Sequence, residues 1–138
     1  MPPDRKRQPR IVDPDAGRAK LVREGKCRLC RKPYPPWQLT RHHLVPRNGS
    51  HAGDDVDDNL VPLCGSGTVG CHGLVERSQE SRSRLRRFLL QAELAYMAWR
   101  MGDDGANPDK GKAWIDRRYP RHVPMKPRRG EIVRRRVS

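Results

Sequence analysis

Cysteine and histidine alternate through the first half of this chain in an order that leaves few folds open. Cys27 and Cys30 form a CxxC, His42 and His43 follow as a pair, and then come Asn59, Cys64 and the dipeptide Cys71-His72. Four cysteines are enough to complete one tetrahedral zinc site, so three histidines have no place in it. The pattern predicts two metal sites, a staple and a second, working site that the staple positions.

Composition agrees that a staple is needed. Of 138 residues only 34% are hydrophobic, and mean hydropathy is −0.97, enough for one domain with a modest core. The N-terminal stretch MPPDRKRQPR lacks the apolar run of a secretory signal, and residues 94–99, the longest apolar-leaning run, are too few to span a bilayer. These features predict a cytoplasmic protein (host cytoplasm, if the chain is phage-encoded) with reduced cysteines that ligate metal. No βαβ pattern surrounds the CxxC, which argues against a redox motif.

Net charge is +14, from 30 Lys and Arg against 16 Asp and Glu, with arginine dominant. The guanidinium fork grips phosphate oxygens in pairs, so the favoured partner is a nucleic acid. A membrane surface fits less well, because no basic amphipathic segment carries a strong aromatic face.

Local signals divide the chain. Residues 1–15 read as a disordered basic arm, 16–119 as the folded domain, and 120–138 as a disordered basic tail. Within the domain, residues 16–25 predict a short helix stopped by Gly25, and residues 32–37, KPYPPW, an extended connector. Residues 39–45 read as a strand holding the histidine pair, and 60–63 as a second strand at an edge position, because Pro62 has no N–H to donate. A loop over 46–58 joins them into a two-stranded ribbon. Asp54, Asp55, Asp57 and Asp58 read as its solvated face, with one of them available to brace Asn59. A helix is expected from Cys71 through the LVERS segment, then a long helix over 80–101. Its stripe of Leu85, Phe88, Leu89, Ala92, Ala95, Tyr96 and Trp99 should face the core, completed by Trp37 and Trp114. Residues 102–111 read as a loop and 113–119 as a last helical turn. His51 and His122 read as bystanders.

The cysteines supply Cys27, Cys30, Cys64 and Cys71 to one structural zinc ion. Six residues separate the second pair, and the glycines among them make the longer loop feasible. His42 and His43, adjacent on a strand, point to opposite sides. One can ligate a metal while the other addresses substrate or water. His72 opens the next helix, and Glu76 lies on the same helical face, where a carboxylate oxygen suits a divalent cation.

In order, CxxC, HHLVP, DDNLVPLC and CHGLVE resemble the HNH endonuclease family in its zinc-stapled ββα-metal form. The loop LCGSGTVGCHG is most similar to the small HNH proteins of tailed actinobacterial phages. The resemblance covers roughly residues 25–80, followed by the helical extension over 80–101. It implies an α+β fold: a small ββα-metal core with a four-cysteine zinc site, flanking helices and basic termini. It implies metal-dependent DNA endonuclease activity, with nicking or double-strand cutting both open. His42 and His72 would bind the catalytic divalent metal, His43 would be the general base, and Asn59 would brace the loop and orient that base. Relatives often carry a histidine where this chain has Glu76, which becomes the candidate third ligand. The metal would be Mg²⁺, or Mn²⁺, Ni²⁺ or Zn²⁺ in its place. A phage terminase would be a partner in DNA packaging. Arg41, Arg47, Arg82 and Arg86 are the candidate DNA contacts. The rival reading is a non-catalytic zinc-ribbon DNA-binding protein, which needs the cysteines and arginines but has no use for His43 or Asn59.

Overall fold

A computed structural model describes residues 8–48 and 51–123 of the chain. It is a small α+β structure of five helices and one two-stranded antiparallel sheet. The expected disordered arms fall, for residues 1–7 and 124–138, outside the described residues. Residues 8–15 depart from expectation. Ile11 donates its N–H to Asp54 and Asp13 donates its own to Asp55, and Arg10 pairs with Asp55, so this segment is built into the domain.

Helix α1 (Pro14–Glu24) starts at an Asp13 N-cap, with proline in its first turn. It ends at Gly25, whose φ of 64° is a left-handed cap. A knuckle at residues 27–31 follows, closed by hydrogen bonds from Cys27 N to Lys32 O and Arg31 N to Cys27 O. The ribbon pairs β1 (Leu39–His43) with β2 (Leu60–Cys64), placing His42 opposite Val61 and His43 opposite Leu60. β1 is shorter than expected because Asn59 takes over beyond it. Leu44 N–H donates to the Asn59 carbonyl and Val45 N–H to the Asn59 side chain. The Pro62 carbonyl accepts from Arg28, which docks the knuckle on the ribbon.

Helix α2 (Gly70–Arg77) follows the glycine loop. Gly70 has φ 66°, and a Cβ there would meet the Cys64 carbonyl oxygen at 2.7 Å, so this tight return that brings Cys71 back to Cys64 requires glycine.

The single long helix expected over 80–101 is two: α3 (Gln79–Arg86) and α4 (Gln91–Met101). The break is held by Glu93, whose carboxylate accepts the Leu90 N–H at 2.7 Å. Glu93 is fully buried and pairs with Arg28 and Lys20, linking α4 to the knuckle and to α1. The break shifts the helical faces, so α4 buries Glu93, Met97 and Arg100 while Ala95 faces outward. Phe88 is partly exposed, and Trp37, carried out by the proline-set turn at Pro36–Gln38, is 82% exposed. Trp114 joins the core as expected.

Helix α5 (Pro108–Arg118) is longer than the expected turn. Asn107 caps it by accepting from Lys110, and Pro108 opens it. It crosses α4 closely at Gly111, where a Cβ would lie 2.0 Å from the Ala98 carbonyl oxygen. The core between ribbon and helices holds Leu21, Leu39, Leu63, Val75, Leu85, Met97, Ile115 and Tyr119. Among the described residues no helix is long and apolar enough to cross a membrane.

Candidate active site

The four cysteines come together as their order suggested. The Sγ atoms of Cys27, Cys30, Cys64 and Cys71 all lie within 4.8 Å of one another, and this cluster could hold a metal ion. Cys27 is fully buried, and none of the four is in a disulfide. Burial opposes ionisation of Cys30, but the Lys32 N–H, Cys27 and the Tyr34 hydroxyl outweigh it and bring its pKa down to about 7. A thiol so tuned is a ready metal ligand.

A second cluster lies one residue away. His42 from β1, with His72 and Glu76 from α2, presents ligand atoms that also fall within 4.8 Å of one another. Strand alternation puts Thr40 and His42 on the side of β1 that faces α2. Helical spacing stacks Glu76 above His72. Glu76 Oε1 sits 3.0 Å from His42 Nδ1 and 3.2 Å from His72 Nε2. Two imidazole nitrogens and a carboxylate oxygen form a donor set for a borderline divalent ion, and three protein ligands leave coordination positions open. Burial lowers the pKa of both histidines, so they are neutral at pH 7. The His42 imidazole beside it holds the Glu76 carboxyl down at about 2, so it is ionised.

His43 points away from that cluster, as alternation predicts, and lines the same cleft of about 450 Å³ along the edge of β1. Thr40, Arg41, Arg47, Asn48, His72, Glu76 and Arg118 also line it. His43 Nε2 lies 2.7 Å from Asp55. Burial opposes ionisation of Asp55, but the His43 imidazole, the Asp13 N–H and Arg10 keep its carboxyl below the ordinary range. An ionised carboxylate only accepts, so Nε2 carries the proton and Nδ1 the electron pair. Burial also lowers the His43 pKa.

Asn59 is fully buried, and its amide is committed to the backbone. Its oxygen accepts from Val45 N, and its nitrogen donates to the carbonyls of Val45 and Asp54. It braces the loop as expected. Both amide hydrogens are occupied, so it orients His43 only through the chain it holds, and Asp55 makes the direct contact.

The expectation of a solvated face is corrected for Asp54 and Asp55, which are buried, Asp54 accepting from Tyr96 and Ile11. Residues 8–13 and α4 pack over these two carboxylates. Asp57 is exposed as expected, while pairing with Lys20 and Arg23.

The candidate DNA-contacting arginines separate. Arg41 and Arg47 reach the cleft. Arg82 donates to the carbonyls of Arg118 and Val75, and Arg86 pairs with Asp116 and donates to the Tyr119 carbonyl, so both hold α5 in place. Arg118 lines the cleft, and its buried Nε has no hydrogen-bond partner among the described residues. Sequence reading missed Arg118, Asp55, Thr40 and Tyr119. Only Thr40 carried a local signal, two residues before His42 on one strand face. His51 packs its ring against Trp114. No protein-family model matches the chain, and no curated protein matches it.

Proposed function

We propose that this chain is a small HNH-type nuclease, a zinc-stapled ββα-metal enzyme that hydrolyses DNA phosphodiester bonds. The observation that carries the reading is the clustering of His42, His72 and Glu76, the last two of which line the cleft that His43 also lines. His43, neutral at pH 7 and held through Nε2 by Asp55, takes the proton of the attacking water on Nδ1. Arg41, Arg47 and Arg118 bind the phosphates on either side and offset their charge. His42, His72 and Glu76 would hold a divalent ion, Mg²⁺ in the simplest case, which supplies Lewis acidity to the phosphate and the leaving oxygen. Cys27, Cys30, Cys64 and Cys71 would hold structural Zn²⁺ and so fix Cys71, and with it the neighbouring His72, against the ribbon. The resemblance to small proteins of tailed phages extends the proposal to work beside a terminase in DNA packaging.

The test is nicking of supercoiled plasmid, with EDTA and add-back of a panel of metals. Cutting should stop with EDTA and return with Mg²⁺ or Mn²⁺. His43→Ala should reduce the rate by about two to four orders of magnitude with zinc content unchanged. If His43→Ala and His72→Ala cut as fast as wild type, the site assignment falls. A zinc ribbon that only binds DNA would retain the plasmid without any metal-restored nicking.

A further inference from the structure

We infer that Thr40 and Tyr119 are positioning residues of the metal centre, whose hydroxyls fix opposite tautomers of His72 and His42 and thereby aim one electron pair of each imidazole at the ion. The inference rests on the metal site proposed above and adds to it the groups that orient its ligands.

Each hydroxyl has a single proton to share between its partners. The Tyr119 hydroxyl lies 2.8 Å from the Leu44 carbonyl oxygen and 2.9 Å from His42 Nε2. The carbonyl can only accept, so the tyrosine proton goes there and the hydroxyl accepts from His42. The His42 proton is then on Nε2, and Nδ1, the nitrogen beside Glu76, keeps its electron pair. The reverse tautomer would set two acceptors 2.8 Å apart around a fully buried tyrosine, with no proton between them.

Thr40 repeats the logic on the other ring. Its Oγ1 lies 2.9 Å from the Gly65 carbonyl oxygen and 2.6 Å from His72 Nδ1. The hydroxyl proton goes to the carbonyl, so His72 Nδ1 donates and Nε2 keeps its electron pair, facing Glu76. His42 and His72 thus use different nitrogens, and both electron pairs meet the same carboxylate oxygen. A cation reconciles three electron-pair donors so close together. Outer partners of this kind orient a ligand and raise its basicity.

The inference also gives the helical extension a role at the site. Tyr119 caps the C-terminal end of α5, and Arg82 and Arg86 hold that end through the Arg118 and Tyr119 carbonyls. These two arginines secure the hydroxyl that faces His42.

The spectra use the full chain, with zinc on the cysteines and saturated with Mg²⁺, because without a cation the Glu76 carboxylate would itself draw a proton to His42 Nδ1 or His72 Nε2. Long-range ¹H–¹⁵N spectra at about pH 8, where imidazoles are neutral, read which ring nitrogen carries each proton. The expected result is Nε2–H for His42 and Nδ1–H for His72. Calorimetric titration with Mn²⁺ should then show Tyr119→Phe and Thr40→Val binding about 10- to 100-fold more weakly than wild type. Thr40→Ser, which keeps the hydroxyl, should bind nearly as wild type, and thermal unfolding identifies variants that fold. The opposite tautomer of either ring in wild type would overturn the inference, as would unchanged Mn²⁺ affinity in folded Tyr119→Phe and Thr40→Val. The expected tautomers in a wild-type protein that binds Mn²⁺ no better than His72→Ala would uphold the ring orientation and sink the metal centre.

Discussion

The cysteine cluster and the histidine–glutamate cluster meet at adjacent residues, Cys71 and His72, yet they are assembled differently. Two thiols come from one short knuckle, and the other two close a glycine loop at the end of β2. That site offers four ligands of one kind and is complete in itself. The histidine cluster draws on β1 and α2 and offers three ligands. Its rings are flanked by Tyr119 from the end of α5 and by Thr40 from β1. A closed tetrahedral set suits a staple, and an incomplete set with oriented electron pairs suits an ion that must also meet substrate. The contrast teaches that two clusters of metal-ligating side chains can share one helical turn and differ in what holds them: local chain for one, the whole tertiary fold for the other.

The largest effect should come from breaking the first site. Cys27→Ser, or chelation of its metal, should remove several kcal/mol, most of the stability of a domain this small. Circular dichroism melts with zinc quantified alongside would check it. A cooperative melt unchanged in Cys27→Ser would erase the contrast between staple and working site.

The cleft beside the second cluster should behave in the opposite way. His43→Ala should keep its melt and its zinc while losing about 10²- to 10⁴-fold in nicking rate. Asp55→Asn should lose more than about 10-fold but less than His43→Ala, because it frees the imidazole without removing it. Single-turnover rates on plasmid check both, and an Asp55→Asn enzyme as fast as wild type would remove Asp55 from the site.

A smaller effect should separate arginines of the cleft from arginines of the fold. Without divalent metal, Arg41→Ala should weaken DNA binding and lower the slope of log K against log salt by about 1. Arg86→Ala should leave that slope unchanged, since its guanidinium is held by Asp116 and the Tyr119 carbonyl. Equal slope changes in the two variants would break the distinction.

The smallest effect is in the pH dependence of the metal-free protein. Burial holds the folded pKa of His42 and His72 below the ordinary 6.5. As the pH falls below 6.5 the unfolded chain takes up protons first, so stability present above that value is progressively lost. Glu76, ordinarily at 4.5 and here at about 2, adds a further loss between those values. Solvent screening keeps that second step small, as Glu76 is partly exposed. Thermal midpoints should fall from pH 7 to pH 5 in wild type and fall less in His42→Ala. A flat profile over that range would contradict the burial of neutral imidazoles.

Much of this was legible in short-range pattern. Gly25 marked the end of α1, strand alternation split His42 from His43, and helical spacing joined His72 to Glu76. The failures have one cause. The hydrophobic stripe over 80–101 suggested one continuous helix, but a buried carboxylate at Glu93 ends one helix and starts the next, and α4 buries Glu93 and Arg100 beside Met97. Polarity says that such residues belong in water. Only the partners, Arg28 and Lys20 for Glu93 and the Ala52 and Gln8 carbonyls for Arg100, make their burial affordable. Asp54 and Asp55 mislead in the same way, since Tyr96 and Arg10 meet them from distant segments.

The sequence by itself determined which atoms are available as ligands and, through strand and helix periodicity, which of them share a face. Covalent spacing is enough for that, because neighbours along a chain cannot escape one another. Tertiary structure alone decided which hydroxyl faces which imidazole, which carboxylate lies beside His43, and which arginines line the cleft. Those depend on single hydrogen bonds between residues up to 77 positions apart, as between His42 and Tyr119, and no local pattern encodes a contact that exists only once the chain has folded.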